Sequence, residues 1–190
     1  MYNMYKLNPG DSLVIYPKDS NTYIVIQGLL VINQEFSNGK KFSRYMINNG
    51  YFIQKLFKYQ KFYNYFYTID AINMSYILTI SGDSKSFNER LISLEGNHCI
   101  HSRNMLDIHI HKNTQNKVIH LLLMLSELTG QSSSNYILLN TKISFSTIAI
   151  IVGTSRNTVS RIINQLKREK LLMYQNKRFI IYNLAKLLSR

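Results

Sequence analysis

Ile143-Ser144-Phe145-Ser146-Thr147-Ile148-Ala149-Ile150-Ile151-Val152-Gly153-Thr154-Ser155-Arg156-Asn157-Thr158-Val159-Ser160-Arg161-Ile162-Ile163 is the stretch on which the reading of this chain turns. It predicts two helices joined by a tight turn. Ser144 and Ser155 stand where N-caps stand, each able to accept from the free N–H groups of a first helical turn. Ala149 is small enough to let a second helix approach the first. Gly153 supplies the positive φ of a sharp turn without a Cβ clash. Val159 and Ile162-Ile163 turn the apolar face of the second helix inward. The spacing Ala-x3-Gly-x5-Val is that of a DNA-binding helix-turn-helix.

The outward side of the second helix fits the same purpose. Arg156, Asn157, Ser160 and Arg161 lie on or near one face by helical spacing. Arg can donate two hydrogen bonds to guanine, and Asn can pair with the edge of adenine. The hydroxyls of Ser144, Ser155 and Thr158 can bond phosphate, at helix N-termini that favour anions. Further on, Leu171-Leu172-Met173-Tyr174 and Phe179-Ile180-Ile181-Tyr182 flank Gln175-Asn176-Lys177-Arg178. Two short strands around a polar basic turn make a β-hairpin wing. Lys177 and Arg178 at its tip would meet the DNA backbone. The competing reading is a solvated basic helix and a merely charged turn.

Charge is distributed accordingly. The chain has 190 residues, a formal charge of +13, one Cys and no Trp. Residues 140–190 hold ten Lys and Arg against Glu169 alone, whereas the preceding 139 residues carry 13 basic and 9 acidic side chains. The C-terminal quarter is thus the part that faces a polyanion. Lys, Asn, Ile and Tyr, the residues of AT-rich codons, make up 73 of the 190 residues. That skew suggests an AT-rich genome, of an organelle or a low-GC bacterium.

Before the helices, residues 7–82 read as strands and turns. Pro9-Gly10-Asp11, Ser37-Asn38-Gly39 and Asn48-Asn49-Gly50 are turn chemistry. Between them lie β-rich runs at Leu13 to Tyr16, Tyr23 to Ile26, Leu29 to Ile32, Phe42 to Ile47, Tyr65 to Ile69 and Met74 to Ile80. Short strands at this spacing predict a sandwich or barrel. From residue 86 the period lengthens. Leu91, Leu94, His98, His101, Met105 and Ile108 fall at alternating three- and four-residue steps, a coiled-coil seam. It reads either as a dimerisation helix or as a helix packed on its own domain. A second helical run at Lys117 to Leu128 stops at Thr129-Gly130, and Gln131 to Asn135 is a polar loop.

Several chemistries are excluded. One Cys, Cys99, supplies neither a disulfide framework nor an iron–sulfur cluster. His98-Cys99-Ile100-His101 reads as packed or seam residues rather than a metal site, and no metal is expected. No P-loop, nucleophile elbow or paired His/carboxylate motif occurs, and residues 7–82 contain no His, so an enzyme is not expected. The aromatic run Tyr59 to Tyr67 reads as core and cross-strand pairs rather than a base-stacking platform. No apolar run is long enough to span a bilayer, and the N-terminus lacks signal-peptide character, so no membrane partner is expected.

The order of strand domain, long helix and winged helix-turn-helix resembles the Crp–Fnr superfamily of transcription regulators. Within it, the chain is most similar to the NtcA-type nitrogen regulators of cyanobacteria and their plastid-encoded red-algal relatives. The likeness rests on Ile143-Ser-x3-Ile-Ala-x2-Val-Gly-Thr-Ser-Arg-x-Thr-Val-Ser-Arg161, on Leu171-Leu172 and the hairpin, and more weakly on Asn8-Pro9-Gly10-Asp11 and Ile26-Gln27-Gly28-Leu29-Leu30-Val31. It implies an α+β fold: a cyclic-nucleotide-binding-like β-roll over 1–85, a dimerisation helix over 86–112, and a winged helix-turn-helix over 113–190. It implies a homodimer on a palindromic promoter site in double-stranded DNA, with RNA polymerase a further candidate partner. It also implies base reading by Arg156 and Arg161. Asn157 departs from the family, leaving the half-site open. The roll lacks the Gly-Glu and Arg-Ser or Arg-Thr pairs that hold a cyclic phosphate, so no cyclic nucleotide is expected. 2-Oxoglutarate stays open as an effector, with Lys55, Lys58, Lys61 and Lys112 the available cations. The resemblance points to a plastid (chloroplast), with bacterial cytoplasm the alternative. The rival function is a nucleoid or RNA-binding protein without sequence choice.

Overall fold

The computed structural model describes residues 2–53, 56, 64–81 and 102–189, and the chain divides into two compact units, residues 1–104 and 105–190. Alternation decides the first. In β7 (Tyr65–Ala71), Tyr67, Ile69 and Ala71 face the core. In β4 (Leu30–Phe36), Leu30 and Ile32 do so. Core membership alternates along both strands, as one sheet face packed on another requires, while Val31, Asn33 and Thr68 on the opposite face are buried as well. One antiparallel sheet runs β2 (Ser12–Ile15), β7, β4, β5 (Lys41–Ile47), β9 (Ser102–Asn104). The other runs β1 (Tyr2–Leu7), β8 (Ser75–Ile80), β3 (Thr22–Gln27), β6 (Phe52–Ile53). Leu7, Tyr23, Val25, Ile53 and Ile77 from the second sheet meet Ile15, Leu30, Ile32, Ile47 and Ile69 from the first in one core.

Every strand run expected between residues 13 and 80 is found, and the three expected turns close by backbone bonds: Asp11 N to Asn8 O, Gly39 N to Phe36 O, and Tyr51 N to Asn48 O. Away from that core, Asp70 ties three strands together. Its carboxylate accepts from Ser12 Oγ at 2.8 Å, Asn33 Nδ2 at 2.9 Å and Lys41 Nζ at 2.6 Å, while Ser43 Oγ donates to Asn33 Oδ1 at 2.7 Å. Of the expected aromatic run, Tyr67 is buried in the core and Tyr65 packs against it, while Tyr59 to Tyr63 lie outside the described residues.

The expected helix over 86–112 needs correction. Residues 102–104 are a strand, Ser102 pairing with Ile47 and Asn104 with Tyr45, and α1 (Leu106–His109) begins only after them. Met105 and Ile108, two positions of the expected seam, are fully buried within the single chain, so neither is presented to a partner. The remaining seam positions, Leu91, Leu94, His98 and His101, lie outside the described residues, as do Cys99, Lys55, Lys58 and Lys61.

In the second unit α2 (Thr114–Thr129) is capped by Asn113, whose side chain accepts from Gln115 N, and it ends at Gly130 as expected. Gly130 is not there for a left-handed backbone. Its φ is −73°, and a Cβ there would lie 2.2 Å from Ser126 O, so Gly130 is needed for close approach. A hairpin follows, β10 (Gly130–Ser132) and β11 (Ile137–Leu139); of the expected polar loop, Gln131 and Ser132 are paired in β10 and Ser133 to Asn135 lie in the turn. After α3 (Phe145–Val152) and α4 (Arg156–Arg168) come β12 (Leu172–Gln175) and β13 (Arg178–Ile181), giving the sheet order β10-β11-β13-β12, and α5 (Leu184–Leu188) ends the chain. Val159, Ile163, Leu166 and Phe179 are wholly buried here. Among the described residues no helix is long and apolar enough to cross a membrane.

Candidate nucleic-acid interface

The interface is assembled by local chemistry. Ser144 Oγ accepts from Thr147 N at 3.0 Å and caps α3, while Ser155 Oγ accepts from Thr158 N at 3.1 Å and caps α4. Between the helices Gly153 has φ 72° and ψ 48°, and Thr154 N closes back on Ala149 O at 2.9 Å. This is the left-handed C-terminal cap that stops one helix and redirects the chain into the next. An added Cβ at Gly153 would meet nothing within 4 Å, so conformation alone demands the glycine. Ala149 is buried, as close helix packing requires.

Helix α4 is sharply two-sided. Val159, Ile162, Ile163 and Leu166 are buried, whereas Arg156, Asn157 and Arg161 are exposed and Ser160 is half-buried beside them. The four expected base readers therefore share the solvent side of one helix, and the first turn carries no acid. Ser155 and Thr158 are 2.9 Å apart, oxygen to oxygen. A single proton suffices for that bond, so the pair keeps a second O–H to offer a phosphate. Ser144 is engaged in the same way with Thr147 at 2.8 Å.

The wing is fastened to the start of the helix pair. Lys177 O accepts from Ile143 N at 2.8 Å, and Tyr174 donates its hydroxyl to Ile143 O at 3.0 Å. Tyr174 also stacks on Phe145 at 4.4 Å and packs on Phe179 at 4.6 Å. Burial raises the Tyr174 phenol above its ordinary range, and the Arg156 guanidinium opposes that shift. At the tip Gln175 pairs with Arg178 across a two-residue turn, Asn176 at φ 51° and Lys177 at φ 62°. Two positive φ values define the turn that best matches strand twist, and its second position ordinarily holds glycine. Lysine there is kept at a conformational cost, which is a feature of functional sites.

Sequence reasoning missed one cation in the strand domain. Arg44 stands at a bulge in β5, its guanidinium 5.8 Å from the centre of the Tyr45 ring and close enough to Tyr67 to oppose the rise that burial gives that phenol, to about 12. Its Nε is buried without a hydrogen-bond partner. A bulge breaks the alternation by which a strand residue's face is read, so nothing in the sequence pointed to it. Lys112 is exposed in the loop between α1 and α2.

A β-sandwich unit followed by a capped helix pair and a tethered basic wing defines the class of winged helix-turn-helix DNA-binding proteins. Residues 116–190 match the Crp-like helix-turn-helix domain. The chain is 29% identical to the putative HTH-type transcriptional regulator ycf28 of Porphyra purpurea, over 96% of this chain and 79% of that one. It is 20% identical to the global nitrogen regulator of Synechococcus elongatus, over 90% and 82%. Its fold is that of a CRP-family transcriptional regulator from Thermus thermophilus, with a TM-score of 0.70 at 16% identity over 97% and 95% of the two chains. Residues 116–190 are thus similar to a Crp-like helix-turn-helix domain, and the chain as a whole is similar to transcription regulators of the Crp–Fnr type.

Proposed function

We propose that this regulator acts as a homodimer that reads a palindromic promoter site in double-stranded DNA, in control of nitrogen-related genes. Base reading is assigned to Arg156, Asn157, Ser160 and Arg161. Ser144, Ser155, Thr158, Lys177 and Arg178 hold the backbone. The observation that carries this is the solvent side of α4, where two guanidiniums and an amide stand together behind a capped, acid-free N-terminus. Two such helices would enter successive major grooves about 34 Å apart. The strand-rich first unit serves as sensor or scaffold. RNA polymerase is the partner expected of a bound activator. The AT-rich composition and the likeness to the Porphyra purpurea protein support a plastid location, with bacterial cytoplasm the alternative.

The test is selection of bound DNA from random duplexes, with and without 2-oxoglutarate, followed by Arg161→Ala. The substitution should relax preference at one position per half-site, at about 1–3 kcal/mol. Equal weakening on all sequences would leave a nucleoid-type protein without sequence choice as the better reading.

A further inference from the structure

Strand β1 is an edge that its own chain leaves open. It pairs with β8 in unbroken register, from Tyr2–Ile80 to Leu7–Ser75, and among the described residues β8 is its one strand neighbour. Every second backbone N–H and C=O along β1 therefore points away from the sheet. Edges are ordinarily blunted by shortness, proline, bulges or charge. The opposite edge of the same sheet, β6, is two residues long. Strand β1 has six residues, no proline, and a single charge at Lys6. Leu7 alone enters the core, so strand parity sets Tyr2, Met4 and Lys6 on the outward face, level with Ile80, Leu78 and Tyr76 of β8. Tyr2 is 68% exposed there and Met4 63%.

We propose that β1 pairs antiparallel with β1 of a second copy of this chain, about a twofold axis at Met4, to make one continuous sheet. The strand's own sequence selects that partner. In a continuous sheet opposed residues share a face, so the twofold axis falls on a residue and not between two. An axis at Asn3 pairs only residues 2 to 4 of each strand, whereas axes at Met4 and Tyr5 pair residues 2 to 6 and 3 to 7. The Tyr5 axis sets the two Lys6 side chains on diagonal positions of one face, about 7–8 Å apart at the backbone, where like charges repel. The Met4 axis moves them four positions apart, about 14 Å along the strand. It also sets each Lys6 opposite the partner's Tyr2, a cation–π pair. Met4 then meets Met4, whose flexible thioether adapts to such a contact, and Asn3 meets Tyr5. So short a ladder buries less than the roughly 1,200 Å² of a lasting complex. The pairing is therefore reversible, and it joins copies already at high local concentration. It does not depend on the duplex-binding reading.

Disulfide trapping in the full chain tests both the partner and the axis. In a Cys99→Ser background, Met4→Cys brings two Cα atoms to about 4.5–5.5 Å across the axis, within reach of a disulfide. Lys6→Cys leaves its two copies about 14 Å apart along the strands, out of reach. On oxidation Met4→Cys should run as a covalent dimer on a non-reducing gel and Lys6→Cys should not. A mixture of Tyr2→Cys with Lys6→Cys should cross-link, although neither does so alone. Sedimentation velocity without DNA supplies the second reading. Met4→Lys sets like charges directly opposite each other, so at high concentration its particles should have half the mass of those formed by the unsubstituted chain. Thermal unfolding checks that Met4→Lys is folded, as substitution of an exposed side chain allows. Trapping of Met4→Cys no faster than Lys6→Cys overturns the proposal. So do equal masses for Met4→Lys and the unsubstituted chain. Duplex affinity of a single site is the same for both proteins in either case, so failure here leaves the duplex-binding reading standing.

Discussion

Lys177→Gly should make the protein more stable and a worse DNA binder. Lys177 sits at φ 62° with a solvent-exposed side chain, and its structural bond to Ile143 N is made by its carbonyl, which glycine retains. An L-residue in the left-handed region costs roughly 1–2 kcal/mol. Part of that gain is returned, because glycine is freer in the unfolded chain, at about 0.4–1 kcal/mol. The net is a stabilisation of about 1 kcal/mol, which for a unit the size of residues 105–190 raises the melting temperature by about 4–8 °C. The same change removes one cation from the wing tip, so the salt slope of DNA affinity should flatten by about 0.9 per protomer. Lys177→Ala separates the two effects, losing the charge while keeping the strained backbone. Calorimetry and anisotropy titrations on the three proteins suffice. A lower melting temperature for the glycine variant, or an unaltered slope for both variants, would refute the argument that lysine is kept there for its charge against the preference of the turn.

Gly153→Ala should cost about 1–2 kcal/mol, purely from backbone conformation, because the added methyl meets nothing; Gly153→Asn should cost less, since Asn tolerates the left-handed region, and thermal unfolding ranks the two. Ser155→Ala should lose about 0.5–2 kcal/mol of stability, read from the urea midpoint. Acid should weaken the second unit. Burial holds His109 and His120 below the usual 6.5, and for His120 the neighbouring His111, whose Nε2 lies 2.9 Å from His120 Nδ1, adds to the effect. The unfolded chain then binds more protons, so stability is full above pH 6.5 and falls as the pH drops below it. Urea midpoints between about pH 5 and 8 should show that slope, and His120→Gln should flatten it.

What the sequence disclosed and what it hid follow from the range of the interactions. The helix pair was legible because each of its determinants is local: Ser144 and Ser155 cap their own helices, and Gly153 bends its own backbone. Strands with one buried face were legible by alternation. Strand β1 was not, because five of its six residues are exposed and no inward face imposes a pattern. Strand β9, Ser102-Arg103-Asn104, has no apolar residue, and the seam's spacing runs straight through it. Met105 and Ile108 kept the seam's period but turned into their own chain, since spacing says that a face is buried and not against what.

The bonds from Ile143 to Lys177 and Tyr174 have a consequence for re-engineering. Because the hairpin is clamped to the entrance of the helix pair at its backbone, turn length is a fixed dimension of this chassis, and an insertion at Asn176 would dislodge Ile143 and the cap beside it. The letters at Arg156, Asn157 and Arg161 carry no such obligation, their side chains being exposed. Under the proposed base-reading role, new operator specificities would be grafted by rewriting that one helical face, whereas wings would be exchanged only as matched cassettes that bring their own partner for Ile143.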